Sequence, residues 1–101
     1  MHLDHSATGG TLADVDNFRE LDARIPRSTP PADVQDWLDG LGATRDGEHV
    51  WVPVGALSRM GRPSDPKWIS QFDKMIAYAD GAGWVRTDGD TKLVRAHVVE
   101  P

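Results

Sequence analysis

The most regular pattern of apolar and polar positions lies between Asp65 and Gly83. Apolar residues recur there three and four positions apart, which places them on one side of a helix. Asp65 is a favourable N-cap residue, Pro66 suits the first helical position, and Gly83 suits a position just beyond a helix. The pattern predicts a long helix across the core of a small domain. Its apolar stripe consists of Trp68, Ile69, Phe72, Met75, Ile76 and Ala79.

Three shorter elements are predicted before this helix. Apolar residues at helical spacing predict a helix over Pro31–Leu41. The turn signal Asp46-Gly47 precedes an alternating segment, His49–Val54, which we interpret as a short strand. Because proline has no N–H to donate, Pro53 would restrict this strand to a sheet edge. Helical spacing over residues 54–60 then predicts a helix of about two turns.

The C-terminal residues have the pattern of a β-hairpin. Trp84–Thr87 and Lys92–Val99 are two runs of strand character, and Asp88-Gly89-Asp90 separates them. Such a tripeptide between two strand-like runs is a strong turn signal. We expect the alternate residues Val94, Ala96 and Val98 to share one face.

The first 30 residues contain a weaker pattern. Residues 1–10 are polar and end in Gly9-Gly10, so we expect a flexible tail. Within residues 11–30, Thr11 and Asp14 approximate a capping box, and Pro26 would end the helix that they begin. Prolines after that point would form a stiff connector. The apolar residues of this predicted N-terminal helix are Val15, Phe18, Leu21 and Ile25.

The order of elements from residue 31 onward is helix, short strand, short helix, long helix and hairpin. This order resembles that of winged-helix domains, by element order alone and without a family motif. The resemblance implies a small α+β, winged-helix-like domain over residues 31–101, preceded by a tail (1–10) and by an extra helix with its connector (11–30). In that class the long helix is the recognition helix and the hairpin is the wing. The class serves both DNA binding and protein docking.

Composition and charge limit the possible functions. A chain of 101 residues has room for one domain, and without cysteine it can form neither disulfides nor thiolate sites. The net charge is -5, and neither half of the chain is basic, which disfavours binding to nucleic acid. No apolar run approaches the roughly 20 residues of a membrane span, and the first residues lack the pattern of a signal peptide. We therefore expect a cytoplasmic protein with no membrane partner.

A nucleic-acid surface is nevertheless conceivable within the winged-helix interpretation. One solvent edge of the long helix, where a recognition helix would meet bases or phosphates, contains Lys67, Gln71, Lys74 and Tyr78. Arginines before this helix and cations of the hairpin would contact the backbone. Against this, Asp73 and Asp80 flank the same helix, and Asp88 and Asp90 lie at the tip of the hairpin. The candidate residues are Arg59, Arg62, Lys67, Gln71, Lys74, Arg86, Lys92 and Arg95.

A protein-binding surface is the favoured interpretation. Trp51 would lie on the strand face opposite Val50 and Val52, where it would be available to a partner. Trp84 is a second exposed candidate. Alternatively, the apolar residues of the N-terminal helix would cover Trp51 within the same molecule. The predicted partner-binding residues are Trp51, Val15, Phe18, Leu21 and Ile25.

The chain shows no pattern of a catalytic or cofactor site. It contains neither a Gly-rich phosphate loop nor a serine elbow, so we expect no enzyme and no cofactor. His2, Asp4 and His5 could bind a metal only weakly on a flexible tail, and we expect no physiological metal site. We expect a non-enzymatic binding module, an accessory or regulatory protein that docks on another protein or on itself. The alternative is a winged-helix DNA-binding transcriptional regulator.

Overall fold

The computed structural model describes residues 1–6 and 9–100 of the chain. Within these ranges, three helices and seven strands form one domain with a mixed sheet. The strands are β1 (His2–Ser6), β2 (Gly9–Ala13), β3 (Asp22–Arg24), β4 (Thr44–Asp46), β5 (His49–Pro53), β6 (Val85–Asp88) and β7 (Thr91–Val99). The helices are α1 (Pro31–Leu41), α2 (Val54–Met60) and α3 (Pro66–Gly81).

The winged-helix prediction is wrong. The strand order is β2-β1-β3-β7-β5-β4, with β6 also paired to β7, so the hairpin is built into a seven-stranded sheet rather than projecting as a wing. The β1–β3 and β3–β7 pairs are parallel, and the other pairs are antiparallel. The first 24 residues supply three strands of this sheet.

The predicted flexible tail and N-terminal helix are also wrong. Residues 2–6 and 9–13 form strands, and residues 7 and 8 of the expected tail lie outside the described residues. A turn replaces the helix at Asp14, which has a positive φ of 49° and whose carbonyl accepts a hydrogen bond from the Asn17 N–H at 2.9 Å. The backbone N–H and C=O groups of β3 form hydrogen bonds with β1 and β7, which replace the hydrogen bonds that a helix would have formed within its own segment.

The N-terminus is part of the core. Met1 is 2% exposed and Leu3 is fully buried. The Met1 ammonium donates hydrogen bonds to the carbonyl oxygens of Asn17 at 2.7 Å and Glu20 at 2.8 Å. Burial lowers the pKa of this amine below its ordinary value, although the nearby carboxylates of Asp14, Asp22 and Glu20 oppose the shift. The loop between β2 and β3 is therefore held to the first residue of the chain.

The predictions for α1 and α3 are confirmed. The Asp65 carboxylate caps α3 by accepting hydrogen bonds from the N–H groups of Lys67 at 3.0 Å and Trp68 at 3.4 Å. Helix α1 ends at Gly42, whose φ of 73° is a left-handed conformation that glycine adopts without strain. Residues next to the ends of both helices mark where each helix begins and ends, so the sequence of each segment was sufficient to predict its bounds.

The predicted position of β5 at a sheet edge is wrong, because β5 pairs with β4 on one side and with β7 on the other. Proline is tolerated there because β4 ends opposite Trp51, and Pro53 lies beyond that end.

The core fills the space between the helices and one face of the sheet. The sheet contributes small and β-branched residues, and the helices contribute larger side chains. Val50, Val52 and Ala96 are each no more than 1% exposed, as are Leu57 of α2 and Phe72 of α3. This buried face leaves the other side of β5 and β7 for a binding surface.

Candidate binding site

Two strands in the middle of the sheet carry the candidate site. Directly opposed residues of an antiparallel pair share a face. Val50 lies opposite Ala96 on the buried face, whereas His49 lies opposite His97 and Trp51 lies opposite Arg95 on the other face. We call this second face, defined by His49, Trp51, Arg95 and His97, the open face. His97 is exposed, and the other three residues are half-buried.

One edge of β7 is shared by two different strands. β7 pairs with β5 along Leu93–His97, while its opposite edge is shared by β6, which pairs with residues 91–94, and by β3, which pairs with residues 97–99. Between β6 and β3, the Arg95 N–H donates to the Trp84 carbonyl at 2.9 Å, and the His97 N–H donates to the Leu21 carbonyl at 3.2 Å. β3 and β6 extend in opposite directions along this edge, so neither strand pairs with Arg95 or Ala96.

A cavity of about 210 Å³ lies beside this part of β7, and we call it the cleft. The loop before β3, the second half of α3 and the start of β6 surround it, together with residues of β5 and β7. The open face contributes His49, Arg95 and His97. The apolar lining consists of Phe18, Leu21, Met75, Ile76, Ala79 and Val94. The cleft thus combines an apolar lining with a few polar side chains, as binding pockets do.

Two exposed aromatic side chains form the rim of the cleft. Tyr78 is 72% exposed and Trp84 is 39% exposed, and their rings pack edge to face with centroids 6.1 Å apart. These are the exposed large hydrophobic side chains among the described residues. Because a folded chain ordinarily keeps such rings from water, their position beside a cavity indicates a contact surface.

Arginine and tryptophan pair on this side of the sheet. The guanidinium carbon of Arg86 lies 4.4 Å from the centroid of the Trp51 ring, and that of Arg95 lies 5.6 Å from the Trp84 ring. Among the described residues, neither arginine forms an ion pair with a carboxylate. Each cation is held over a ring and retains its hydrogen-bond donors for another group.

The indole N–H of Trp51 is a further unsatisfied donor. Its nitrogen is buried, and no acceptor lies within hydrogen-bond distance among the residues that the structure describes. Arg86 covers the ring of this tryptophan. A buried donor without an acceptor is unfavourable, and the indole nitrogen of Trp37 is in the same state.

The predicted partner-binding residues do not lie together on one surface. Trp51 lies on the open face, and Leu21 lines the cleft. Phe18 also lines the cleft, and its ring centroid is 6.1 Å from that of Trp68. Val15 lies next to the same tryptophan, whose Nε1–H donates to the Val15 carbonyl at 2.7 Å. Ile25 is 3% exposed and belongs to the core.

The expectation that an N-terminal helix covers Trp51 is wrong, because residues 11–25 form no helix and the loop with Val15 and Phe18 packs against Trp68 of α3. Arg86 lies over the Trp51 ring instead.

The residues proposed for nucleic acid do not form one surface. Lys67, Gln71 and Lys74 are exposed on α3, whose apolar stripe packs against the buried face of the sheet. Arg86 and Arg95 lie on the opposite side, over Trp51 and Trp84. The other three are dispersed: Arg59 lies on α2, Arg62 pairs with Asp16 at 2.8 Å, and Lys92 follows the turn between β6 and β7.

The three N-terminal residues considered for a metal do not converge. Alternation along β1 places His2 and Asp4 on one face, where the His2 Nε2 lies 3.2 Å from an Asp4 carboxylate oxygen. His5 lies on the other face, and its ring packs edge to face with Trp37 at 5.1 Å between centroids. In residues 1–6 and 9–100, no group of three or more His, Cys, Asp or Glu side chains is arranged to hold a metal ion.

Sequence reasoning missed the contact between the two strand histidines and the role of Tyr78. The rings of His49 and His97 meet edge to face at 5.6 Å, because the β5–β7 register places them opposite each other. The helical spacing places Tyr78 on the same solvent edge as Lys67, Gln71 and Lys74 and does not indicate its contact with Trp84. A signal for the cleft did exist: counting back from the Asp88-Gly89-Asp90 turn places Trp84 close to Arg95.

Comparisons with protein-family models, with curated proteins and with solved structures find no match to the chain. Of the helices in the described part of the chain, none has the length and apolar character needed to cross a membrane.

Proposed function

We propose that this chain is a non-enzymatic binding module that docks on another protein through the open face and the cleft. The observation that carries this proposal is the composition of the cleft rim. Tyr78 and Trp84, which are 72% and 39% exposed, lie there beside Arg95, and Arg86 lies over Trp51 on the same face. Tryptophan, tyrosine and arginine are the residues most enriched at energetically important positions of protein interfaces.

The distribution of charge favours a protein partner over nucleic acid. The chain has a net charge of -5, and the basic residues considered for phosphate contacts are divided between the two sides of the sheet. Nucleic-acid affinity depends on a continuous row of cations along the phosphate backbone. An accessory or regulatory role and a cytoplasmic location remain predictions from the sequence.

Site-specific photo-crosslinking in cells that naturally express the chain tests this proposal. A photoreactive amino acid at position 78 samples the cleft rim, and the same amino acid at position 67 samples a distant exposed position of α3. We expect a defined protein adduct from position 78 that is lost when Arg95→Gln is added, and no such adduct from position 67. Equal adducts from both positions, or none from position 78, would refute docking at this site.

A further inference from the structure

We propose that the cleft receives one aromatic side chain from an acidic peptide segment, and that Arg95 and Arg86 bind the carboxylates flanking that side chain. This inference rests on the proposed function and names the chemistry of the partner. It is carried by the size of the cavity, by its lining, and by two arginines that form no ion pair among the described residues: Arg95 in the lining and Arg86 over Trp51 on the open face.

The size of the cleft suits a single side chain. Its volume of about 210 Å³ is smaller than the roughly 300–1,000 Å³ of pockets that enclose a whole small molecule. Two other surface cavities are larger. The arginines of one of them already contact Glu100, through a 3.3 Å ion pair from Arg45 and a hydrogen bond from Arg27 to its carbonyl. The other is lined by Arg59, Lys92 and Asp90 and lacks an aromatic side chain.

The lining favours an aromatic group. Phe18 and Trp84 border the cleft and offer ring edges and faces, and the Met75 side chain adds a polarizable sulfur. Aromatic rings gain from edge-to-face and sulfur contacts beyond the area that they bury, whereas an aliphatic side chain gains from the area alone. Ile76 and Ala79 of α3 are already almost fully buried, so the interior is preformed.

The rim favours carboxylates next to the aromatic group. Arg95 and Arg86 lie over Trp84 and Trp51, which limits their rotamers and leaves their N–H groups available for bidentate binding. Arg19 also lines the cleft, and Glu20 is the acidic residue of the lining. The charged residues of the cleft lining therefore have a positive sum, although the net charge of the chain is -5.

A second copy of the chain is a poorer occupant than another protein. In the part of the chain that the structure describes, the exposed large hydrophobic residues are Tyr78 and Trp84, and both belong to the cleft rim. A second copy could therefore insert only Tyr78 or Trp84 into the cavity, and both of these residues already form the rim of its own cleft. The net charge of -5 on each copy further opposes self-association.

Peptide titrations of the ¹⁵N-labelled full chain, followed by NMR, test the inference. The probe is an acetylated and amidated peptide with one phenylalanine between pairs of aspartate and glutamate. Two control peptides replace the phenylalanine by alanine or the acids by lysine. The four tryptophans of the chain provide separate indole N–H signals. We expect the Trp84 and Trp51 signals to shift, while Trp68, whose N–H is already bonded to Val15, stays constant.

Matched variants assign the effect to the rim. We expect Arg95→Gln to weaken binding of the acidic phenylalanine peptide at least about ten-fold, because a charge-assisted hydrogen bond is lost. Arg59→Gln makes the same charge change on α2 and should leave the affinity within about two-fold. Trp84→Ala removes an exposed side chain and should abolish the shift at Trp51 together with measurable binding.

The outcomes separate this inference from the proposed function. If the acidic phenylalanine peptide causes no shift, or if either control peptide binds equally well, the inference is wrong. It is also wrong if a single-stranded oligonucleotide, and not the peptide, shifts the Trp84 signal with strong salt dependence. A crosslinked protein at position 78 that persists in such a case would preserve the docking function and reject only the acidic aromatic partner.

Discussion

Gly61→Ala tests a close packing contact between the end of α2 and Trp68 of the core. Gly61 is the C-cap of α2, and a Cβ at this position would lie 2.3 Å from two ring carbons of Trp68. Ordinary carbon contacts are about 3.5–4.0 Å, so the ring or the end of α2 must move by more than about 1 Å. Trp68 is 2% exposed, stacks on Phe72 at 4.9 Å and donates to the Val15 carbonyl, which opposes such a shift.

The expected loss of stability follows from two opposing terms. Overpacking of a core costs about 1–3 kcal/mol, while replacing glycine restricts the unfolded chain and restores about 0.4–1 kcal/mol. We expect a net destabilisation of about 1–2 kcal/mol, which lowers the Tm by about 4 °C or more in a domain of this size. Urea denaturation followed by tryptophan fluorescence would measure the free energy of unfolding.

Gly40→Ala provides the matched control. Gly40 lies inside α1, and a Cβ there would have no neighbour within 4 Å, so we expect stabilisation by about 0.5–1 kcal/mol. The two glycine substitutions should therefore have opposite signs. The indole N–H signal of Trp68 should also move in Gly61→Ala and not in Gly40→Ala. If Gly61→Ala stabilises the chain as Gly40→Ala does, the inferred packing of Trp68 against α2 is incorrect.

Three further predictions concern charged groups. Asp65→Ala should lower the free energy of unfolding by about 1 kcal/mol because α3 loses its N-cap, whereas Asp65→Asn should retain most of it, and urea denaturation of both variants separates capping from charge. A double-mutant cycle on Arg62 and Asp16, which are 52% and 63% exposed, should give a coupling below about 1 kcal/mol, and a larger value would contradict solvent screening of this pair. The third concerns pH. Burial lowers the pKa of the Met1 amine in the folded chain, whereas the unfolded chain keeps the ordinary pKa of about 8. Between these two pKa values the unfolded chain binds more protons than the folded chain. The free energy of unfolding should therefore rise as the pH increases towards about 8. Urea denaturation midpoints at pH 7.5 and 9.0 measure this rise. In a chain without cysteine, the α-amino group is the group that ordinarily titrates in this interval. A fall in the midpoint between the two pH values would contradict the burial of the amine.

The pairing of the first strands shows why the predicted fold class was wrong. β3 is parallel to both of its partners, β1 and β7, and parallel pairing joins residues that no tight turn connects. Nothing local in residues 2–6 or 22–24 indicates a partner in residues 97–99. Val15 and Phe18 are three positions apart, as in a helix, but they lie in a loop that packs against Trp68.

The candidate site depended on register in the same way. His49 and His97 are 48 positions apart in the sequence, and they meet because β5 and β7 pair in one register. The cleft requires β3 and β6 to share one edge of β7, which joins three separate segments of the chain. Trp51 was recognised from its alternation with Val50 and Val52, but Arg86 as its stacking partner was not.

The sequence by itself determined the elements whose signals are local. Helices α1 and α3 have apolar stripes and end residues within one segment, and the turn at Asp88-Gly89-Asp90 defines the β6–β7 hairpin, because short-range hydrogen bonds and side-chain spacing decide these structures. Only the tertiary structure decided the order of the strands, the burial of Met1 and the cleft beside Arg95. Those features depend on contacts between distant segments, whose free energy is gained only when the whole sheet has formed.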